Sequence, residues 1–198
     1  SSRLFFLPLQ NTNRTSGFQK GKNYDMIDVR GNLTVKNGTV VAEHKGENMG
    51  WSAMTTIADI TAGGVMNVKD ATLENLGGSD MNFTVHLNNW GEVTLNVENC
   101  TLESSYVPVR VFNSGNDMNN VTIKNSILKG GSYAFWVHNY TAADFGTQDK
   151  ANVQKRLLNF DIFNGTNKFI GKNLTPVCFG FTNTLYADEN GLIPIIEN

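Results

Sequence analysis

The sequence predicts an all-β fold, a single-stranded parallel solenoid of about five to six coils with capped ends. Three observations predict it. Asparagine is the commonest residue, with 27 against 19 glycines in 198 positions. Asparagine favours turns and is a poor helix former. Four octapeptides along the chain read alike. A second family of heptapeptides follows the first, and in neighbouring repeats the offset between the two is constant. The 40% apolar content supports one domain with a core. The 17% charged content excludes a disordered tail, a coiled coil and a long helical bundle. A net charge of −2 offers no basic field to nucleic acid.

Residues 1–30 are expected to form an N-terminal cap or first coil. They hold Leu4, Phe5, Phe6, Phe18, Tyr24, Met26 and Ile27, with Met26–Val29 as a strand. The apolar run Arg3–Leu9 is far too short to span a bilayer, and no other stretch is longer. It reads as a first strand or lid rather than the remnant of a secretion signal.

The repeats fill residues 31–183. The first family is Leu33–Val40, Met66–Leu73, Leu95–Leu102 and Val121–Leu128, with starts 33, 29 and 26 residues apart. Each begins with period-two alternation, the mark of a strand with one buried face. Asn37, Asp70, Asn99 and Asn125 then interrupt the alternation. Asn and Asp tolerate left-handed geometry, so these positions are corners. The second family is Phe83–Asn89, Val107–Asn113, Tyr133–Asn139 and Val177–Asn183, each with three apolar positions at period two. Val97 to Val109 and Ile123 to Phe135 are both 12 residues apart. A unit this small cannot bury its own apolar face, but stacked units can. Val35, Val68, Val97 and Ile123 should form one inward column. Val85, Val109, Phe135 and Phe179 should form another. The corner residues should make a side-chain ladder beside Thr39, Thr72 and Thr101. Cys100 shares a small corner column with Gly38, Ala71 and Ser126 and reads as a buried structural thiol. Cys178 lies on the opposite face, so no bridge joins them. The excess length before Phe179 places an insertion near 140–156, with Gln148–Leu158 as a short helix. Residues 184–198 form a C-terminal cap, with Pro194 suited to an edge.

The signature seen at Asn120–Leu128 and Glu92–Leu102 resembles the right-handed parallel β-helix of the pectin-lyase-like type. The resemblance covers 31–140 well and 157–184 loosely. It implies a bacterial secreted or cell-surface protein. The architecture is shared by enzymes, adhesins and phage fibres, so it leaves activity open.

Outward positions of the second family carry the candidate ligand-binding residues: His86, Arg110, Phe112, Trp136 and His138. In register, His86, Arg110 and Trp136 form one outward column, beside Phe112 and His138. Aromatic faces among hydrogen-bonding groups suit a sugar ring, and an arginine suits a uronate carboxylate. The competing structural reading is that the 140–156 insertion packs over Phe112 and Trp136. The expected function is a non-catalytic, secreted or surface β-helix that binds polysaccharide or a host or cell-surface glycan, or acts as an adhesin-like module. The alternative is a small polysaccharide lyase with Arg110 as base. Calcium would enter only with that alternative, and the carboxylates Glu103, Asp117 and Asp80 fit no single face. No catalytic set, metal site or cofactor is otherwise expected, nor a nucleic-acid partner or a membrane span; the oligomeric state is open. The paired-Asp and Gly-His-Gly motifs of polygalacturonases and the Trp-x-Asp-His motif of pectate lyases are absent. His44 beside Glu43 has no triad partner. Nine N-x-[ST] sequons occur, at Asn13, Asn32, Asn37, Asn82, Asn99, Asn120, Asn139, Asn164 and Asn173. They follow from the Asn- and Thr-rich repeat, and would accept sugar only in a eukaryotic secretory pathway.

Overall fold

The computed structural model describes residues 2–6, 22–44, 53–61, 63–77, 81–88, 92–113, 120–139, 160–179, 183–185 and 187–192. Every regular element among them is a strand. The chain opens with β1 (Ser2–Phe6) and β2 (Lys22–Val29). Strands then come in threes: β3 (Asn32–Lys36), β4 (Gly38–His44) and β5 (Ala53–Ile60). The next unit is β6 (Val65–Lys69), β7 (Thr72–Gly77) and β8 (Asn82–Asn88). It is followed by β9 (Thr94–Glu98), β10 (Thr101–Ser104) and β11 (Val107–Asn113). Then come β12 (Asn120–Lys124), β13 (Ile127–Gly130) and β14 (Phe135–Asn139). The last unit is β15 (Phe160–Asp161), β16 (Lys168–Ile170) and β17 (Val177–Phe179). Finally β18 (Asn183–Leu185) turns back antiparallel on β17.

First members of the units stack into sheet 1, of five strands. Second members and β1 make sheet 2, of six; third members with β2 and β18 make sheet 3, of seven. All pairings are parallel except the last. This is the parallel β-solenoid that the repeat predicts. Three turns, β6–β8, β9–β11 and β12–β14, form its regular body. The coils number about three rather than the expected five to six, because the flanking strands shrink, to two residues at β15.

The core is made of like residues over like residues. Val35, Val68, Val97 and Ile123 are successive register partners. So are Leu73, Leu102, Leu128 and Phe169. Leu73, Leu95, Leu102, Ile123 and Leu128 are fully buried. Each such side chain contributes roughly 1.5–3 kcal/mol relative to exposure. In sheet 3, Val85, Val109 and Phe135 align as expected. Phe179 does not continue this column. Val177 pairs with Phe135, and Phe179 pairs with Val137, two residues along. Pairing by sequence pattern failed here because apolar residues at either position satisfy period two.

Sheet 1 passes to sheet 2 through one residue between β3 and β4 and through two in each of the next three units. Asn37, Asp70, Asn99 and Asn125 all have φ between 50° and 58°. Each position therefore needs the left-handed region that Asn and Asp tolerate best after glycine. Their backbones stay in the stack: Asn37, Asp70 and Asn99 donate N–H to the carbonyls of Lys69, Glu98 and Lys124. Asn99 Nδ2 also donates to Asp70 Oδ1 at 2.6 Å. A parallel rung joins Asn96 Nδ2 to Asn67 Oδ1 at 2.9 Å. Past the corner, Cys100 and Ser126 behave alike. Each donates back two residues, Cys100 Sγ to the Glu98 carbonyl and Ser126 Oγ to that of Lys124. Burial pushes the Cys100 thiol above its ordinary pKa, which suits a structural role. Neither cysteine is in a disulfide.

The C-terminal end is partly closed by residues 187–192. Asp188 Oδ1 accepts from the N–H groups of Asn190 and Leu192, and Phe169 of β16 donates N–H to the Gly191 carbonyl. The expected insertion at 140–156, the helix at Gln148–Leu158 and residues 193–198 lie outside the described residues.

Candidate functional site

The outer face of sheet 3 carries the chemistry, and a repeated bend shapes it. Strict alternation would turn Phe83, Val85 and Leu87 all inward. Instead Val85 and Leu87 join the main core while Phe83 joins a second cluster with Met81, Val107, Trp136 and Cys178. The register explains this. β5 pairs with β8 at Thr56–Phe83 and Ala58–Val85 but not at the residues between. β8 and β11 likewise pair at Phe83–Val107 and Val85–Val109 but skip Thr84 and Pro108. Pro108 has no N–H to give the ladder. Two consecutive residues face inward at the bend, as with Ile57 and Ala58 or Ala134 and Phe135. Residues on either side of this pair therefore both face outward. Thr84 helps hold the bend, donating Oγ1 to the Glu103 carbonyl at 2.6 Å.

Two outward columns are thus brought side by side. One runs Thr56, Phe83, Val107. The other runs Asp28, Asp59, His86, Arg110, Trp136, Cys178. The sequence-predicted trio His86, Arg110 and Trp136 lies in adjacent register, as expected. Phe112 pairs with His138 in the neighbouring column; the side chain of His138 lies outside the described residues.

The trio is not an open stripe. His86, Arg110 and Trp136 are 2%, 4% and 2% exposed, and Phe112 is half-buried. Asp59, 6% exposed, supplies a fourth member that period and motif reading missed. His86 Nδ1 lies 2.9 Å from Asp59 Oδ1, and His86 Nε2 lies 3.5 Å from Arg110 Nη1. Arginine can only donate, so Nε2 is the acceptor and Nδ1 carries the proton given to Asp59. The imidazole is a neutral spacer between carboxylate and guanidinium. Burial lowers the His86 pKa; the Asp59 hydrogen bond opposes that, and Arg110 adds to it. Asn88 Nδ2 makes a long contact, 3.4 Å, with Asp59 Oδ2.

Rings fill the space around the guanidinium. Arg110 Cζ lies 5.0, 4.9 and 5.2 Å from the centroids of Phe83, Phe112 and Trp136. Each desolvated cation–π contact is worth about 1–2 kcal/mol. Tyr106 meets Phe83 and Trp136 edge-on, at 5.8 and 6.2 Å. Arg110, which the sequence offered to a sugar together with Phe112 and Trp136, here contacts both rings.

Toward the N-terminal edge the layer turns acidic. Thr56 Oγ1 donates to Asp25 Oδ1 at 2.7 Å. The Asp25 carboxyl is pushed up to about 6, chiefly by local desolvation, with the carboxylates of Asp59 and Asp28 adding and Thr56 opposing. Among the described residues no group of three or more His, Cys, Asp or Glu side chains could hold a metal ion. Glu103, one of the three carboxylates weighed for calcium, is paired with Lys129 Nζ at 2.7 Å on sheet 2. Asp80 and Asp117 lie outside the described residues. No protein family, curated protein or solved structure matches the chain.

Proposed function

We propose that this chain is a non-catalytic β-solenoid of the pectin-lyase-like type. In this reading it is a bacterial secreted or cell-surface protein that binds carbohydrate or serves as an adhesin-like interaction module. One observation carries the non-catalytic half. The acid, imidazole and guanidinium that a catalytic set would use are spent on one another, as Asp59, His86 and Arg110 inside an aromatic layer. His86 Nε2 faces a donor rather than a nucleophile. The lyase alternative asks Arg110 to give up a proton beside a substrate. A guanidinium packed among three rings and 4% exposed stays protonated and out of a substrate's reach.

The carbohydrate half is supported by the rest of the surface. A parallel solenoid repeats one set of outward side chains at about 4.8 Å along its axis. Here these are asparagine and threonine columns, a pattern suited to a repeating, hydroxyl-rich polymer. The test has two arms. The protein is incubated with polygalacturonate and alginate in the presence of calcium while unsaturated-uronate absorbance is followed, and it is applied to an oligosaccharide array. Silence in the first arm and binding in the second are expected. Absorbance that grows in the wild type and is lost in Arg110→Lys would establish the lyase instead.

A further inference from the structure

The burial of the sheet 3 column raises the question of where a glycan would lie. The geometry points to the corner between sheets 1 and 2, where a groove of about 530 Å³ forms the binding track for a straight, neutral polysaccharide parallel to the solenoid axis. This rests on the carbohydrate-binding reading above and names the site and the ligand class.

The floor of the groove includes Ala71 and Cys100, both buried members of the core. One wall is the left-handed corner column, including Asp70 and Asn99. The other is the threonine column, in which Thr39, Thr72 and Thr101 are successive register partners. The groove crosses successive rungs, so its occupant must be extended and must repeat at nearly the strand spacing. Straight glycan chains advance by about one such spacing per sugar, whereas coiled chains do not.

The lining selects among extended polymers. A peptide strand would need free backbone groups, but the corner N–H groups of Asn37, Asp70 and Asn99 are already given to the next rung. Thr101 and Ile127 likewise donate N–H to the carbonyls of Ala71 and Cys100. Side-chain hydroxyls and amides remain, which both donate and accept, as sugar hydroxyls do. Among the described residues no Lys, Arg or His lines the groove, and Asp70 does. An acidic polysaccharide would therefore meet a carboxylate with no cation between them. The connection at this corner is only two residues in every regular turn, so no insertion starts there.

The test uses the intact chain and hexasaccharides of four kinds: β-1,4-glucan, β-1,4-mannan, coiled α-1,4-glucan and oligogalacturonate. Titration calorimetry or affinity electrophoresis reads binding, and circular dichroism with melting confirms each variant is folded. Thr101→Tyr obstructs the groove, Thr101→Val removes only a hydroxyl, and Thr122→Tyr adds the same ring on sheet 1 as a control. Binding of a straight neutral hexamer, weakened tenfold or more by Thr101→Tyr and several-fold by Thr101→Val, is the expected result, with Thr122→Tyr unchanged. A straight hexamer bound equally by all folded forms would exclude the groove and leave the carbohydrate reading standing. Binding confined to the coiled or the acidic hexamer would overturn the ligand class. No binding by the wild type to any probe would remove both readings.

Discussion

The two long surfaces of this solenoid treat stacked polar side chains in opposite ways. Outside sheet 3, Asp59, His86 and Arg110 are nearly dry and are bonded to one another. At the corner of sheets 1 and 2, Asn37, Asp70, Asn99 and Asn125 stand in water. Both columns arise from the same register, one residue per rung. Their energetics differ because solvent can replace a lost partner at the corner but not in the dry layer. The dry column should act as a unit, and the wet one residue by residue. The first is suited to fixing the fold, and the second to meeting a ligand without disturbing it.

The largest expected effect comes from breaking the dry column. Arg110→Ala leaves Asp59 buried without its cation and removes the centre of three ring contacts. It should destabilise by about 3–5 kcal/mol in urea unfolding. Replacing charge and spacer together, as Asp59→Leu with His86→Phe and Arg110→Met, should recover most of that loss, since no charge is then stranded. Additive losses across the three positions would show that these residues do not form one network.

A smaller effect tests the wet column. Asn99→Ala keeps a Cβ at φ 55° without the polar side chain that lets Asn tolerate it, and loses the bond to Asp70. Asn99→Gly loses the same bond but relieves the backbone. Alanine should cost about 1–2 kcal/mol, and glycine about 1 kcal/mol less than alanine. Equal losses would place the whole contribution in the side-chain bond rather than in the corner geometry.

How much of this could be read in the sequence follows from the same contrast. The corner was legible because its geometry is local: an Asn or Asp between alternating residues signals a left-handed turn by itself. The alignment of His86, Arg110 and Trp136 was legible because each stands fourth in its heptapeptide. The bend in sheet 3 was not, since one extra inward residue in each strand leaves the apolar count unchanged. Pro108 within a strand run was its only local sign. Asp59 was missed because the preceding repeat departs from the spacing, and nothing short of the register places it beside His86. Burial of the column is a tertiary outcome, and a Trp or Arg at an outward position has the same pattern whether covered or open.

The smallest expected effect lies where the dry layer meets the N-terminal edge, and its sign is set by pH. Asp25 keeps solvent contact, yet its pKa stands at about 6 against an ordinary 3.8. The fold thus prefers its neutral form. Below pH 3.8 both folded and unfolded chains hold the proton, and Asp25 imposes no penalty. As pH rises toward 6 the unfolded chain releases the proton first, so stability falls, and above that the penalty is complete. Asp25→Asn keeps an acceptor for Thr56 and removes the charge beside Asp59 and Asp28. It should raise the melting temperature by a few degrees at neutral pH and leave it unchanged near pH 4. His86 works in the other direction. Its lowered pKa gives a contribution present above about 6.5 and lost as pH falls, and this limb should persist in Asp25→Asn. Melting both forms across this range separates the two groups. A difference that stays constant with pH would mean that Asp25 acts through packing rather than charge.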